Sequence, residues 1–202
     1  MTILEHDEII KKYKNQNEVI HGKTISLHPY CTAHIHDVVR LRNQENSMYF
    51  LNQGINSTVE YQLTWGEDYF ARNNDIYWCV SDKSENIIGT IRLYDIEKDG
   101  SCCEIGSFII DEKYAMVGAY ALEVKLLALD FAFDVLKIQR VINKNRSDNK
   151  NMNSISKRLG CVFVEDFDLR GVPYKLYELS KDSYSHKRES LLKILDMWVS
   201  RK

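Results

Sequence analysis

Proline and glycine are sparse in this chain, and no segment rich in proline, glycine or serine divides it. The 202 residues include two prolines and nine glycines, which excludes a long flexible linker. Hydrophobic residues make up 44% of the chain, enough for one substantial core. We predict a single domain over residues 24–180, with an N-terminal arm over residues 1–23 and an amphipathic C-terminal helix over residues 181–202 that packs on the domain.

Neither charge sign is in excess, and no long apolar run is present. The 27 basic and 29 acidic residues leave a formal net charge of -2, which provides no electrostatic footprint for nucleic acid. No segment approaches the roughly 18 apolar residues of a membrane span, and the N-terminus lacks the apolar region of a signal peptide. We therefore expect a protein that binds neither nucleic acid nor membranes.

Paired cysteine and metal-ligand motifs are also missing. The five cysteines have no C-x-x-C spacing and lie in or beside apolar segments, so we predict buried thiols and a reducing, cytoplasmic location. His34 and His36 are two residues apart, which places them on different sides of a helix, and no H-x-x-x-H motif accompanies them. We predict no metal site.

The hydrophobic pattern predicts a mixed α/β domain. Three β-branched or aromatic runs, at residues 76–80, 87–96 and 103–110, predict an antiparallel meander. Residues 120–136 carry two apolar stripes, which indicates a mostly buried helix. A strand at residues 138–142 would be reached through that helix and should run parallel to the strand at 103–110.

The remaining segments complete this prediction. Residues 149–159 read as a helix, and residues 162–167 and 174–179 read as a final strand pair. Residues 43–57, rich in Asn and Gln, are predicted to form a partly ordered loop over a pocket. Leu191, Ile194, Leu195 and Trp198 form one side of the C-terminal helix, with a dimer contact as the alternative to packing on its own domain.

Gly118 marks the turn between a strand and the buried helix. The first N–H groups of a helix have no internal partners, and the helix dipole is positive at that end. A strand-to-helix turn of this kind suits a diphosphate group. Glycine at one such turn is weak evidence alone, because it also serves simply to allow the turn.

The order of several motifs strengthens this interpretation. The motifs are Glu104-Ile-Gly106, Phe108-Ile-Ile-Asp111, Gly118, Asp130-Phe-Ala-Phe133, Asn149 and Ile155-Ser-Lys-Arg-Leu159-Gly160. In this order they resemble the GNAT N-acetyltransferase superfamily over residues 24–180. The opening segments Ile25-Ser-Leu27-His28-Pro29 and Leu41-Arg42-Asn43 resemble the branch that includes ribosomal-protein N-terminal acetyltransferases and acetyltransferases of nucleotide-linked amino sugars.

The resemblance implies a fold and a donor site. The fold is a mixed, mostly antiparallel sheet with one splayed parallel strand pair and helices on both faces. Acetyl-CoA, as co-substrate, would lie between the two parallel strands and transfer its acetyl group directly. The implied donor-binding residues are Ile109 and Ile110 for the pantetheine, Val117, Gly118, Ala119 and Tyr120 for the pyrophosphate, and Asn149 for the pantetheine arm.

Two departures from the family pattern affect this site. The family usually has Gln or Arg three residues before its first loop glycine and a small residue two after it, where this chain has Ala115 and Tyr120. We expect Tyr120 at the helix entrance to crowd the diphosphate, so that the loop is reshaped or the cofactor binds more weakly. Ser156 stands where many relatives carry a Tyr that protonates the departing thiolate.

Glu104 is the candidate general base, because the resemblance places a carboxylate there and an amine attacks a thioester only when it is neutral. The alternative is a solvated strand residue. Candidate proton donors to the CoA thiolate are Ser156, Tyr120, Tyr174 and Tyr177. Cys102 and Cys103 lie beside Glu104, but no histidine in residues 104–160 is available to activate a thiolate.

Tyr49, Phe50 and Arg170 are the candidate acceptor-binding residues, and the alternative for the two aromatic residues is simple cover for the core. We predict an acetyl-CoA-dependent N-acetyltransferase acting on a small-molecule or peptide amine, as a monomer or homodimer. The first acceptors to consider are a nucleotide-linked amino sugar and a protein N-terminus. The alternatives are a transferase for a longer acyl-CoA and a non-catalytic GNAT-like binding or interaction module.

Overall fold

The computed structural model describes residues 3–15, 18–115 and 117–200. Within these ranges, the helices and strands form one mixed α/β domain. The helices are α1 (Ile3–Asn15), α2 (Ile35–Arg42), α3 (Glu45–Phe50), α4 (Val59–Ala71), α5 (Gly118–Asp130), α6 (Lys150–Leu159) and α7 (Lys181–Val199). The strands are β1 (Ile20–His21), β2 (Ile25–Pro29), β3 (Ile76–Asp82), β4 (Ile87–Tyr94), β5 (Cys102–Ile110), β6 (Arg140–Arg146), β7 (Val162–Leu169) and β8 (Val172–Ser180).

The strands of the described residues form one sheet in the order β1-β2-β3-β4-β5-β6-β8-β7. Every neighbouring pair is antiparallel except β5 and β6, which are parallel. Parallel neighbours need a crossover, and α5 provides it, as the buried apolar stripes predict. The predicted fold class is confirmed: a mostly antiparallel sheet with one parallel pair.

Separate hydrophobic clusters cover the two faces of the sheet. The larger cluster contains side chains of α1, α5 and α7 together with alternate residues of the strands, among them Trp78, Ile91 and Val141. The smaller cluster joins α2 and α4 to the opposite face of β3 through residues such as Val38 and Tyr69. Because successive strand residues point to opposite faces, β3 supplies side chains to both clusters.

Several element boundaries differ from the sequence predictions. Strand β6 begins at Arg140 and extends to Arg146, because it pairs along this length with β8. The segment 43–57 contains helix α3 where a loop is predicted, and β1 adds the N-terminal arm to the sheet edge by pairing with β2. Of the predicted arm and C-terminal helix, residues 1, 2, 16, 17, 201 and 202 lie outside the described residues.

The helix predicted at 120–136 is not one regular helix. It begins at Gly118 as α5 and continues as a π-helical turn over Phe131–Val135. The Leu136 N–H donates to the Phe131 carbonyl at 2.9 Å, five residues back, which is the hydrogen bond of a π-helical turn. None of the helices in the described part of the chain has the length and apolar character of a membrane span.

Candidate active site

Strands β5 and β6 separate soon after they meet. Their parallel register joins Cys102 to Arg140, Cys103 to Val141 and Glu104 to Ile142, and it ends there. From Ile105 to Ile110, β5 is hydrogen-bonded only to β4 among the described strands. Backbone N–H and C=O groups along the other edge of β5 are therefore free to pair with an extended ligand.

A β-bulge in β5 accompanies this separation. Arg92 of β4 lies opposite Gly106, whereas Thr90 lies opposite Ile109, so β5 contains an extra residue between them. Ser107 takes a φ of 46°, and its carbonyl accepts a hydrogen bond of 2.8 Å from the Thr90 hydroxyl. Bulges bend a strand and increase its twist, which explains how β5 turns away from β6 at this point.

The separated strands open onto a cleft of about 530 Å³. Its walls come from α3, the end of β5, the start of α5, α6 and α7. The lining side chains include Phe50, Phe108, Ile109, Ile110, Asn149, Ile155, Arg158 and Trp198. Polar groups at its rim and apolar groups along its length suit an amphipathic ligand such as a pantetheine arm with a charged head group.

Most of the predicted donor-binding residues meet at this cleft. Ile109, Ile110, Val117, Gly118 and Asn149 line it. Ala119 is buried in the core beneath it. The Asn149 side-chain oxygen also caps α6 by accepting from the Met152 N–H at 3.1 Å.

Tyr120 does not line the cleft. Its ring centroid lies 6.1 Å from that of Tyr114, and its side chain is only partly buried beside the core. The crowding predicted from this residue stays a prediction, whereas Ala115 does line the cleft. Met116 of the same turn lies outside the described residues.

The N-terminus of α5 has no side-chain cap, since Val117 at the N-cap position provides no side-chain hydrogen bond. Val117 and Gly118 at this end of α5 line the cleft, and the Tyr120 N–H already donates to the Val117 carbonyl at 3.0 Å. A β-carbon at Gly118 would lie 3.3 Å from the Trp198 ring, so the C-terminal helix also requires a small residue here. Sequence analysis missed Trp198 as a cleft residue, although its apolar stripe on α7 was the available signal.

Glu104 is the last residue of β5 that pairs with β6. Its side chain lies on the face of the sheet opposite the larger hydrophobic cluster. The residue is 5% exposed. One carboxylate oxygen accepts from the Tyr94 hydroxyl, and the other accepts from the Lys144 ammonium at 2.6 Å. Burial, followed by the nearby Glu104 carboxylate, raises the pKa of Tyr94 above its usual range. The Glu104 carboxylate, at the point where β5 and β6 separate, thus lies between two groups that carry protons.

A second, smaller cavity of about 100 Å³ adjoins the bulge on this face. Its lining residues are Arg42, Tyr61, Gln62, Trp65, Tyr77, Arg92 and Ser107. The Tyr77 hydroxyl is buried at this cavity, with Arg42 and Thr90 as its polar neighbours. The Arg92 guanidinium lies 4.7 Å from the centre of the Tyr94 ring, which connects this cavity to Glu104. Sequence analysis did not identify this cavity, because its residues come from α2, α4 and three strands.

Ser156 is fully buried and its hydroxyl is already occupied. The hydroxyl donates to the Met152 carbonyl at 3.0 Å and accepts from Asn143 at 2.8 Å and from Asn145 at 3.0 Å. One donor and two acceptors are the full capacity of a hydroxyl. The structure therefore shows Ser156 joining α6 to β6, and its predicted acid role stays a prediction without geometric support.

The predicted proton donors Tyr174 and Tyr177 and the candidate nucleophile Cys103 are buried. Tyr174 and Tyr177 do not line the cleft, and burial raises the pKa of both phenols. Burial also raises the pKa of the Cys103 thiol far above its usual range, which leaves it unreactive. The described residues contain no group of three or more histidine, cysteine or carboxylate side chains that could hold a metal ion.

The predicted acceptor residues separate in space. Phe50 lines the cleft, while Tyr49 is half exposed and donates to Asp148 at 2.6 Å. The Arg146 guanidinium lies 3.8 Å from the centre of the Tyr49 ring. Arg170 lies outside the cleft lining, in the two-residue turn between β7 and β8, where Arg170 and Gly171 have φ values of 56° and 78°. Two positive φ values are typical of a type I′ hairpin turn.

Comparison with known proteins identifies the family of this site. Residues 24–162 match the model of the acetyltransferase (GNAT) domain. The chain therefore belongs to the GNAT family of acetyltransferases, as the motif order predicts, and it is an acyltransferase. No match was found among curated proteins.

Solved structures share the fold at low sequence identity. A GCN5-related N-acetyltransferase from Brucella melitensis is 18% identical with a TM-score of 0.75, and the match covers 90% of this chain and 87% of that one. FdhC, described as a nucleotide-linked sugar GNAT, is 22% identical with a TM-score of 0.73, covering 89% and 99%. A spermidine N-acetyltransferase from Vibrio cholerae, in complex with CoA and spermine, is 17% identical with a TM-score of 0.74, covering 81% and 99%.

Proposed function

We propose that the protein transfers an acetyl group from acetyl-CoA to a primary amine, with the donor in the 530 Å³ cleft. The observation that carries this proposal is the parting of β5 and β6 after Glu104, next to the uncapped N-terminus of α5. The pantetheine would pair with the free edge of β5 at Ile109 and Ile110. Of the four predicted donors Val117, Gly118, Ala119 and Tyr120, the pyrophosphate would accept hydrogen bonds from the Gly118 and Ala119 N–H groups. The Val117 N–H already donates to the Tyr114 carbonyl at 2.9 Å, and the Tyr120 N–H donates to the Val117 carbonyl at 3.0 Å.

The end of the cleft favours a short acyl group. Beyond Phe108 the structure provides a cavity of only about 10 Å³, lined by Ile105, Val141 and Asn143. This volume is about that of one water-sized probe, too small for the added carbons of a longer acyl chain. We therefore prefer acetyl-CoA to a longer acyl-CoA as the donor. The neighbour that contains CoA is consistent with this donor class.

Glu104 is the proposed general base. An amine entering from the face of α2 and α4 would meet Glu104 at the apex of the split, where Lys144 would have to yield one carboxylate oxygen. The Lys144 side chain is 36% exposed, so solvent can receive its ammonium group. The amine nitrogen would then attack the thioester carbon, and a backbone N–H near Ile109 or Ile110 would stabilise the oxyanion.

We propose a nucleotide-linked amino sugar as the acceptor. The 100 Å³ cavity beside Glu104 combines the Arg42 guanidinium, the Tyr77 hydroxyl and the Trp65 ring. Guanidinium groups bind phosphate, and aromatic rings stack on sugars or bases. Asp75 forms an ion pair with Arg92, whereas the Arg42 guanidinium donates to the neutral Gln53 amide at 3.1 Å. A polyamine would bring further positive charge to Arg42, which disfavours it. Support also comes from the neighbour described as a nucleotide-linked sugar GNAT.

The test combines acetyl-CoA calorimetry with a turnover assay of CoA release. The acceptor panel contains a UDP-linked amino sugar, a peptide with a free N-terminus and spermidine. We expect the amino sugar to be acetylated fastest and Arg42→Met to reduce that preference. Faster acetylation of the peptide would contradict the amino-sugar proposal and indicate a protein N-terminus as the acceptor. Absence of acetyl-CoA binding would contradict the donor proposal and favour a non-catalytic module.

The Glu104→Gln variant tests the general base. We expect it to bind acetyl-CoA like the wild type and to lose turnover by about 100-fold or more, the usual contribution of a general base. The matched control is Glu165→Gln, which changes an exposed carboxylate on β7. Normal turnover by Glu104→Gln would show that the base assignment is wrong.

The oligomeric state and location stay predictions. We propose a monomer or homodimer, which sedimentation equilibrium would decide. The five cysteines are all free, which supports the proposed reducing, cytoplasmic setting.

A further inference from the structure

Lys125 is a buried lysine without an anionic partner. It belongs to α5, is 2% exposed, and its ammonium group makes no hydrogen bond or ion pair with any residue that the structure describes. Its recorded contacts are the Phe108 ring, whose centroid lies 4.7 Å from the ammonium nitrogen, and an electrostatic interaction with the Cys161 thiol. A buried charge without a partner is costly, so such a group calls for a functional explanation.

Lys14 is a second buried lysine, and its contacts show a structural role. Its ammonium group donates to the Tyr69 carbonyl and, at 2.7 Å, to the Arg72 carbonyl, and Asp75 lies nearby. These acceptors join α1 to the end of α4. Lys125 has no comparable set of acceptors, so the role of Lys14 does not apply to it.

The position of Lys125 connects it to the acyl end of the cleft. Lys125 lines the 10 Å³ cavity together with Val141, which pairs with Cys103, and with Ile105 and Asn143, the first residues of β5 and β6 beyond the paired positions. Leu159 lines both this cavity and the cleft. The Phe108 ring, which Lys125 contacts, is also a wall of the cleft. The ammonium group is therefore one side chain away from the space proposed for the thioester.

We propose that Lys125 is the proton donor to the departing thiolate of CoA. This inference rests on the proposed function, because it needs the donor in the cleft. The acceptor nitrogen forms a bond to the thioester carbon and gives one proton to Glu104. The carbon–sulfur bond then breaks, the electron pair goes to sulfur, and the Lys125 ammonium protonates it. Products are the amide and CoA thiol, and solvent returns the proton from Glu104 to Lys125.

The protonation equilibrium of Lys125 suits this step. Burial lowers the pKa of Lys125 to about 8, and the Cys161 thiol opposes the shift. The ammonium form still predominates at neutral pH, and its acidity approaches that of a thiol. Among the described residues packed against Lys125, Cys161 is the titratable group, while the Glu104 carboxylate belongs to the opposite face of β5. Ser156, whose hydroxyl is fully used, does not compete for this role.

The first experiment isolates the sulfur atom without needing an acceptor. CoA and desulfo-CoA differ only in the thiol, and calorimetry gives the affinity of each. We expect the wild type to bind CoA about tenfold more tightly or better, the difference made by one hydrogen bond to a charged group. We expect Lys125→Met to bind both equally. Lys193→Met, which changes a lysine with 72% side-chain exposure on α7, should behave like the wild type.

The second experiment follows turnover against pH with acetyl-CoA and the fastest acceptor of the panel. Because the acid must be protonated, we expect the wild-type kcat to fall as pH rises above about 8. Lys125→Met should show a low kcat without this alkaline limb and an unchanged KM for acetyl-CoA. Lys125→Arg keeps the charge but releases no proton in this range, so its kcat should stay low.

The outcomes separate the two proposals. Failure of the wild type to bind CoA and desulfo-CoA would overturn the donor site, and this inference with it. Equal wild-type binding of both ligands would overturn the role of Lys125 alone. Recovery of turnover in Lys125→Arg would show that charge, not a proton, is required. Removal of an unpartnered buried charge should leave Lys125→Met folded, which its melting temperature and its binding of desulfo-CoA would check.

Discussion

The proposed chemistry depends on two side chains, Glu104 of β5 and Lys125 of α5, which lie on opposite faces of β5. Glu104 faces α2 and α4, and Lys125 approaches Ile105, the next residue, from the α5 side. Side chains alternate along a strand, so neighbouring residues meet different helices. The proposed base and the proposed acid are thereby separated by the backbone of one strand. This arrangement prevents direct neutralisation of Lys125 by Glu104.

Asp148 offers a test of the contacts that hold the loop beside the cleft. The Arg146 guanidinium, with bonds of 3.1 and 3.0 Å, and the Tyr49 hydroxyl, at 2.6 Å, lower the pKa of Asp148 to about 2. Both interactions favour the ionised carboxylate. We predict that Arg146→Met raises this pKa towards the ordinary aspartate value and that Tyr49→Phe raises it less. Carboxyl carbon NMR titration measures both. An unchanged pKa in Arg146→Met would contradict the assignment.

Helix α7 acts as part of the core and as a wall of the cleft. Tyr184, Leu191 and Leu195 are buried, and Arg188 makes a bidentate ion pair with Asp130 of α5 at 2.7 and 2.8 Å. Leu191, Ile194 and Trp198 also line the cleft. The helix therefore supports α5 at both ends, through Arg188 at Asp130 and Trp198 at Gly118, and it contributes to the shape of the donor site.

This role predicts a stability effect. Leu191→Ala and Leu195→Ala should each reduce the free energy of unfolding by about 2–4 kcal/mol, because each leaves a cavity in the core. Met197→Ala on the same helix, where the residue is 52% exposed, should change it by less than about 0.5 kcal/mol. Urea unfolding followed by circular dichroism measures all three. Equal effects of the three substitutions would show that α7 is not packed as described.

Asp111 links several elements around the entrance of the cleft. It follows β5, is 2% exposed, and accepts hydrogen bonds from the Lys113 N–H at 3.1 Å, from Gln44 at 3.0 Å and from Arg40 of α2. Burial opposes ionisation, but these three donors outweigh it and lower the pKa of the Asp111 carboxyl. The ionised carboxylate therefore holds α2 and α3 against the end of the sheet.

Acid should weaken the entire fold through this residue. A carboxyl group with a lowered folded pKa stabilises the protein fully above its unfolded value of about 3.9 and loses that contribution as pH falls through the folded value. We predict that Asp111→Asn costs about 1–3 kcal/mol at pH 7 and progressively less below pH 4. Urea unfolding at pH 7, 4 and 3 measures this change. Asp166→Asn, in an exposed ion pair with Lys175, should cost less than about 1 kcal/mol at each pH.

Local sequence patterns predicted which helices and strands form better than they predicted where each begins and ends. The stripes of residues 120–136 identified the crossover helix, but its π-helical end depends on packing before β6. The Asn-rich segment 43–57 resembles a loop by composition, whereas α3 is held over the cleft by Asn46, whose backbone N–H and side-chain amide donate to Glu112 at 3.2 and 2.9 Å. Propensity is a weak prior that such long-range contacts override.

The sequence by itself determined the fold class, the parallel strand pair and the family, because hydrophobic periodicity and motif order are local properties of the chain. It also singled out Glu104 and Gly118. Only the tertiary structure decided that Trp198 packs over Gly118, that Ser156 has no free hydrogen-bonding capacity, and that Lys125 points to the split without a partner among the described residues. These properties arise between segments distant in sequence, where side-chain packing and desolvation set what each group can do.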